Sequence, residues 1–137
     1  MLSKTSRIIP LAVLVLGASI AIGASPDDFT ERDVQRWQAE YEVVADAGRA
    51  LWTSGDLGTN GVACAQCHPN AANTHPETYP KFQKQLGRVV QLWEMINWCL
   101  RNPLEGKEMA ADDPRMIAMQ AYVYKERRGV KLDPGKH

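Results

Sequence analysis

The residues with the clearest chemistry in this chain lie in the stretch Cys64-Ala65-Gln66-Cys67-His68. Two thiols three residues apart, followed at once by an imidazole, form the attachment motif for c-type haem. Each thiol can add to a vinyl group of the porphyrin, and the same short backbone then holds the histidine beneath the iron. The sequence therefore predicts one covalently bound haem c, attached through Cys64 and Cys67, with His68 as the proximal iron ligand.

The same two cysteines could instead form a redox-active dithiol or half of a zinc site. A zinc site needs two further ligands, and the chain offers only Cys99, His75 and His137, with no second CxxC pair. A thioredoxin-like dithiol belongs in a βαβ pattern, and the sequence around the motif carries no strand signals. Haem attachment is therefore favoured, and it predicts export, because thioether bonds to haem normally form outside the cytoplasm.

The N-terminus carries the pattern of an export signal over residues 1–24. Lys4 and Arg7 form a charged start, an apolar run extends from Ile8 to Ile22, and small residues follow as a cleavage site. The apolar run is shorter than the roughly 20 residues that a membrane-spanning helix needs. We therefore expect a cleaved signal peptide and a periplasmic protein, with membrane attachment only if the segment stays uncleaved.

Length and charge narrow the class of protein further. A chain of 137 residues favours a single domain. It has 16 basic and 16 acidic residues, so it has no basic excess to neutralise phosphates, and nucleic-acid binding is not expected. Of the 3 cysteines, the haem motif uses Cys64 and Cys67, so Cys99 remains as a thiol that needs an explanation.

The first element that must position the motif is a helix. Thr30 is expected to cap it, with Asp33 as the reciprocal acid, and the helix is expected to end at Ser54. Its apolar residues follow helical spacing: Val34, Trp37, Tyr41, Val44, Ala45 and Leu51. Gly48 interrupts this stripe, and we expect another helix to cross closely there.

Two further helices are predicted after the motif, and no strand is predicted. One runs from about Arg88 to Leu100, and the last begins at Asp112 or Asp113. The apolar face of the former consists of Val89, Leu92, Trp93, Ile96, Cys99 and Leu100. The main apolar stripe of the last helix consists of Ile117, Ala121 and Tyr124, flanked by Met116 and Val123.

This order of elements resembles the class I c-type cytochromes. The stretch from Gly48 to Trp52 is similar to the glycine-containing first helix of that family, and Ala121-Tyr122 is similar to its partner on the last helix. The resemblance implies an all-α fold, a single cytochrome c-like domain wrapped around one haem. The expected divisions are a signal peptide at 1–24, an N-terminal helical extension at 25–43, the cytochrome c domain at 44–126 and a C-terminal tail at 127–137.

The residue on the other side of the iron decides its potential and reactivity. Cys99 lies on the inward face of a predicted helix, and as a thiolate it would lower the potential, although it could also be a buried free thiol. Met109 lies in the loop before the last helix, and as a thioether it would raise the potential. His75 follows His68 too closely to reach around the porphyrin and is expected at the surface or beside a haem propionate.

A narrower resemblance concerns the segments Glu94 to Cys99 and Asn102 to Lys107. They are similar to segments in sulfur-oxidising cytochromes, namely the haem subunit of the periplasmic Sox complex and the thiosulfate dehydrogenases. In those families a cysteine after an Ile-Asn pair binds the iron opposite the motif histidine, which implies His68/Cys99 ligation here. The dehydrogenases usually carry two haems, and they tend to have an arginine at the position that Met95 occupies in this chain.

The expected function is one-electron transfer by a periplasmic monohaem cytochrome linked to the oxidation of sulfur compounds. Other redox proteins, such as a second cytochrome subunit, are the expected partners. The alternative is an enzyme, or its haem subunit, that oxidises thiosulfate or another sulfur anion at Cys99, with Arg88 or Arg101 holding the anion. A weaker alternative is a gas sensor in which a small molecule displaces Cys99 from the iron.

Overall fold

The computed structural model describes residues 29–132, so the predicted signal peptide and residues 133–137 of the predicted C-terminal tail lie outside the described residues. Four helices are present in this part of the chain: α1 (Glu31–Thr53), α2 (Cys64–Cys67), α3 (Leu92–Arg101) and α4 (Pro114–Arg127). Two strands form one antiparallel hairpin: β1 (Lys81–Gln83) and β2 (Arg88–Val90). Short 3-10 turns lie at Pro69–Ala71 and Pro76–Thr78. The fold is mostly helical, as predicted, but it is not purely α.

Helix α1 begins with the predicted capping box. The Thr30 hydroxyl accepts a hydrogen bond from the Asp33 backbone N–H at 3.2 Å, and the Asp33 carboxylate accepts one from the Thr30 N–H at 3.1 Å. The helix ends at Thr53, directly before Ser54, also as predicted. It continues without a break from residue 43 to residue 44, the predicted boundary of the cytochrome c domain.

Helices α1 and α4 cross at Gly48, which confirms the expected close approach. A Cβ atom built on Gly48 would lie 1.9 Å from the carbonyl oxygen of Ala118. Only a residue without a side chain leaves room for the two backbones at this separation. Near the crossing, the Tyr41 hydroxyl donates a hydrogen bond to the Ala121 carbonyl oxygen at 2.8 Å, which links the same two helices.

The predicted apolar stripe of α4 is wrong in its rotation about the helix axis. Ile117 and Tyr124 are 47% and 43% exposed. The buried residues of the helix are Met116, Ala118, Met119, Tyr122 and Val123. Apolar residues occur around most of this helix, so spacing alone did not identify the inward side. With Trp37 and Val44 of α1, Ile117 instead lines an open apolar cleft between the two helices.

The hairpin corrects the predicted start of the second long helix. Arg88 to Val90 form β2, and α3 begins only at Leu92. Val89 lies three residues before Leu92, so it satisfies helical spacing, yet its side chain is 61% exposed. The tight turn uses Gly87 at a φ of 66°, a left-handed conformation that glycine adopts without strain. The alternation of exposed Val89 and buried Val90 is that of a strand with one face on the core.

The hydrophobic core lies between the haem motif, α3 and α4. Its buried members are Trp52, Cys64, Ala71, Leu92, Ile96, Leu100, Leu104, Met109, Met116, Met119, Tyr122 and Val123. Residues far apart in the chain therefore share one core, and the cysteine of the motif belongs to it. Within residues 29–132, no helix is both long enough and apolar enough to span a membrane.

We predict that Gly48→Ala destabilises the protein. Helix propensity alone would make this change stabilising by about 1 kcal/mol, because alanine is the better helix former. The added methyl group would lie 1.9 Å from the Ala118 carbonyl oxygen and force the two backbones apart, so the cost should fall at the upper end of the about 1–3 kcal/mol typical of overpacking and exceed that gain. Urea unfolding of the haem-loaded protein measures the difference. Ala47→Gly, at the exposed neighbouring position, is the control and should lose only about 1 kcal/mol; a Gly48→Ala protein as stable as the wild type would contradict the crossing.

Candidate haem site

The CxxCH motif folds into a single helical turn. Helix α2 carries Cys64 and Cys67, and the backbone N–H of His68 donates to the Cys64 carbonyl oxygen at 2.9 Å. Residues three apart in a helical turn lie on the same side, so both thiols can meet one edge of a porphyrin. Cys64 is buried and Cys67 is exposed, so this edge would extend from the core to the surface.

The His68 ring is held in an orientation that suits iron ligation. Its Nδ1 atom lies 2.8 Å from the carbonyl oxygen of Ala72. A carbonyl oxygen can only accept a hydrogen bond, so Nδ1 is the donor in this contact and Nε2 is the ring nitrogen left for iron. The indole Nε1 of Trp52 also donates to the His68 carbonyl oxygen at 2.9 Å, which fixes the backbone. The donor set of Cys64, Cys67 and His68 therefore fits a c-type haem.

Helix α3 brings Cys99 towards the motif cysteines. Burial, together with the charges of Cys64 and Cys67, raises the pKa of the Cys99 thiol to about 11. An electrostatic effect of this kind requires the sulfur atoms to lie near one another. Attachment of haem would convert Cys64 and Cys67 to thioethers, which cannot ionise. Cys99 would then remain as the one thiol of this group that can bind iron.

Met109, the alternative ligand, lies in the same core. Its backbone is held by Asn97, which the sequence predicted only as part of an Ile-Asn pair and not as a structural residue. Asn97 is 4% exposed, and its side chain donates to the Met109 carbonyl oxygen at 2.8 Å and accepts from the Met109 N–H at 2.9 Å. Met109 itself is 7% exposed and belongs to the cluster that contains Cys64. The clamp fixes the loop between α3 and α4 beside the motif.

His75 is not at the surface, contrary to one of its two expected positions. It is 7% exposed, and its backbone has a φ of 47°, in the left-handed region. Its Nδ1 atom lies 3.2 Å from the carboxylate of Glu77. Pro76 follows and begins a 3-10 turn, so local geometry holds this histidine inside the loop after the motif.

The two arginines expected to hold a sulfur anion are both engaged in ion pairs. The Arg88 guanidinium lies 2.7 Å from Glu94, and the Arg101 guanidinium lies 2.6 Å from Glu108. Exposed ion pairs contribute little to stability. They do offset the positive charge locally, so neither arginine offers an uncompensated cation to a substrate.

Sequence reasoning missed a second group of polar residues near Cys99. The Lys81 ammonium lies 4.6 Å from the centre of the Tyr79 ring, and Gln83 donates a hydrogen bond to the Tyr79 hydroxyl. Burial raises the pKa of Tyr79, Gln83 lowers it, and the charge of Cys99 raises it again, which indicates that Tyr79 lies near Cys99. Tyr79, Lys81 and Gln83 occur at every second position, which is the period of a β-strand. This alternation was the signal in the sequence that could have predicted the group.

The two alternatives to haem find no support in this arrangement. Within the part of the chain that the structure describes, no three His, Cys, Asp or Glu side chains are grouped so as to hold a metal ion by themselves, as a zinc site would require. The sheet found between residues 29 and 132 is one antiparallel hairpin, whereas a thioredoxin-like dithiol needs a βαβ unit.

Comparison with known proteins identifies a family and several relatives. Residues 47–132 match the model of the SoxA/TsdA cytochrome c domain. The chain is 32% identical over 89 residues to a thiosulfate dehydrogenase of Allochromatium vinosum, covering 56% of this chain and 33% of that protein. It is 29% identical over 109 residues to the L-cysteine S-thiosulfotransferase subunit SoxA of Rhodovulum sulfidophilum, covering 77% of this chain and 38% of that protein.

The fold is also similar to a solved structure. The crystal structure of SoxXA from P. pantotrophus superimposes with a TM-score of 0.62 at 22% identity, covering 74% of this chain and 40% of that chain. At this identity the likeness shows the fold alone. The chain spans between a third and two fifths of the length of these relatives.

We predict that Asn97→Ala loosens the loop that carries Met109. The change would leave the N–H and C=O groups of Met109 buried without partners, at a cost of about 1–3 kcal/mol for each group. Chemical unfolding measures the loss, and limited proteolysis should cut the loop between α3 and α4 faster. Asn102→Ala removes one exposed hydrogen bond to the Trp98 carbonyl oxygen and serves as the control; equal losses in the two variants would contradict the clamp.

Proposed function

The chain belongs to the SoxA/TsdA cytochrome c domain family, and we propose that it is a periplasmic monohaem cytochrome that transfers single electrons during the oxidation of sulfur compounds. The observation that carries this proposal is the helical turn of the CxxCH motif, with the His68 ring held by the Ala72 carbonyl oxygen, in a stretch that matches the family model. Haem c, when bound, supplies reversible one-electron exchange at its iron. Residues 44–126 would form the haem-binding domain.

In this proposal the motif residues have separate tasks. Cys64 and Cys67 hold the porphyrin covalently, so that it stays bound in either oxidation state. His68 offers Nε2 to the iron, and the hydrogen bond from Nδ1 to the Ala72 carbonyl oxygen orients the ring and increases its basicity. Trp52 keeps the backbone of His68 in place.

Cys99 is proposed as the second axial ligand. A thiolate is anionic and soft, so it favours ferric over ferrous iron and lowers the midpoint potential. Its place on α3, with its thiol largely removed from water, supports this role, because a buried thiolate needs a cation such as iron to compensate its charge.

An electron-transfer subunit is favoured over an enzyme that acts alone. Arg88 and Arg101, which the enzyme alternative would use to hold a sulfur anion, are both paired with carboxylates. The exposure of Cys67 supports a haem edge that a partner protein can approach. We propose a second cytochrome or another redox protein as that partner, since the relative SoxA is named as a subunit.

Electron paramagnetic resonance of the ferric protein tests the ligand assignment. The wild type is expected to give a low-spin signal typical of a thiolate ligand, and Cys99→Ala should lose it because no other thiolate is available. Met109→Leu is the matched control and should keep the signal. A signal that survives in Cys99→Ala and is lost in Met109→Leu would show that Met109, and not Cys99, is the second iron ligand.

Redox titration of the same proteins gives an independent readout. Cys99→Met should raise the midpoint potential by about 0.1 V or more, since axial ligands set haem potentials over a range of about 0.8 V. Met109→Leu should leave the potential close to that of the wild type. A potential that is unchanged in Cys99→Met would contradict thiolate ligation.

A further inference from the structure

The start of α1 carries large apolar side chains that do not belong to the core. Phe29 and Trp37 form an edge-to-face pair with ring centres 5.0 Å apart, and Trp37 is 42% exposed. Val34, between them in the sequence, is exposed as well. The hydrophobic core of the described residues includes none of the three. Aromatic side chains carry large apolar areas, so their shared exposure to water needs a physical explanation.

The same side of α1 continues into the open cleft between α1 and α4. Trp37 and Val44 line the cleft from α1, and Ile117 lines it from α4. Positions 34, 37, 41 and 44 follow one another at intervals of three and four residues, so they form one stripe along the helix. We call the surface formed by Val34, Trp37, Val44 and Ile117 the α1–α4 face. Contiguous apolar surfaces of this kind are typical of protein–protein interfaces.

The α1 side of this face lies outside the part of the chain that the family shares. Helix α1 begins at Glu31, whereas the match to the SoxA/TsdA cytochrome c domain begins at residue 47. All the α1 residues that line the cleft precede that position. The closest approach to α4, at Gly48, comes after it. The first turns of α1 therefore add a surface to the domain.

The border of the face carries charges of both signs. Glu40 lines the cleft, and among the ion pairs formed within residues 29–132 it takes part in none. Arg36 lies one turn earlier on the same side of α1. Its side chain is 62% exposed, although its guanidinium contacts Asp33 at 3.2 Å. A partner that covers the cleft removes Glu40 from water, so that partner must bring a cation to this position.

A second copy of the chain brings that cation if two α1 helices pack antiparallel. In a two-fold symmetric contact, residue i of one copy meets residue j of the other, and j meets i. An axis at the middle of the stripe, between Trp37 and Tyr41, places Arg36 of each copy opposite Glu40 of the other. The same axis lays the two apolar stripes against each other. A partner surface of a single sign would match only one of these two charges.

We propose that the α1–α4 face is a homodimer interface, in which the α1 helices of two copies pack antiparallel and each covers the cleft of the other. The predicted N-terminal helical extension then serves assembly and not haem binding. The dimer requires neither a particular iron ligand nor sulfur chemistry, so it goes beyond the proposed function.

Two neighbouring valines of α1 give a matched test of the surface. Val44 lines the cleft, whereas Val43 is 70% exposed and lies outside the stripe. Sedimentation velocity of the haem-loaded proteins over a concentration series measures the Kd of the dimer. Val44→Gln places a polar group in the interface of both copies and should raise this Kd about tenfold or more. Val43→Gln should stay within about twofold of the wild type, and circular dichroism checks that both variants keep the fold.

Charge reversal tests whether the partner is a second copy. Arg36→Glu or Glu40→Arg alone places like charges opposite each other in a symmetric dimer, so each variant should raise the Kd about tenfold or more. An equimolar mixture of the two variants should dimerise again, because one chain then carries a carboxylate at both positions and the other a guanidinium at both. Mixing changes neither chain, so the recovery reports a contact between copies.

The opposite results would overturn the dimer. A wild type that stays monomeric at about 0.1 mM excludes a second copy and leaves a different protein to cover the face. A dimeric wild type whose Kd is unchanged in Val44→Gln has its interface on another surface. A mixture of the two charge variants that stays monomeric overturns the antiparallel packing.

Discussion

The crossing of α1 and α4 at Gly48 is the constraint on which the position of the motif histidine depends. Because the two backbones touch there, Trp52 is brought against Tyr122, with ring centres 5.9 Å apart. The same indole donates its N–H to the His68 carbonyl oxygen. A change at Gly48 would therefore affect both the stability of the helix pair and the proximal side of the proposed haem site.

The distal side depends on a different contact. Helix α3 carries two residues of the site within a single turn and on different sides of the helix: Asn97, which clamps the Met109 backbone, and Cys99, whose pKa is affected by the motif cysteines. The two side chains have different roles: the Asn97 amide holds the loop, while the Cys99 thiol remains available to iron. A methionine loop and a cysteine ligand are thus compatible in one core.

Charge is distributed unevenly around Cys99. The arginines on either side are compensated by Glu94 and Glu108, whereas Lys81 rests on an aromatic ring. A count of arginines alone would overstate the positive charge open to an anion, because Arg88 and Arg101 are already compensated by carboxylates. The hairpin, which the sequence analysis did not predict, is the element that supplies the lysine.

The sequence by itself determined the features that depend on neighbouring residues. These are the CxxCH motif, the Thr30 capping box, the end of α1 and the start of α4. The segment before Cys99 also identified the family, and the comparisons confirmed it. Only the tertiary structure decided which face of α4 is buried, that Arg88 belongs to a strand, and that Asn97 holds the Met109 backbone. Local hydrogen bonds and motif spacing depend on residues that are close in the sequence, so the sequence can predict them. Packing and ion pairing depend on residues that are distant in the sequence and meet only in the folded protein.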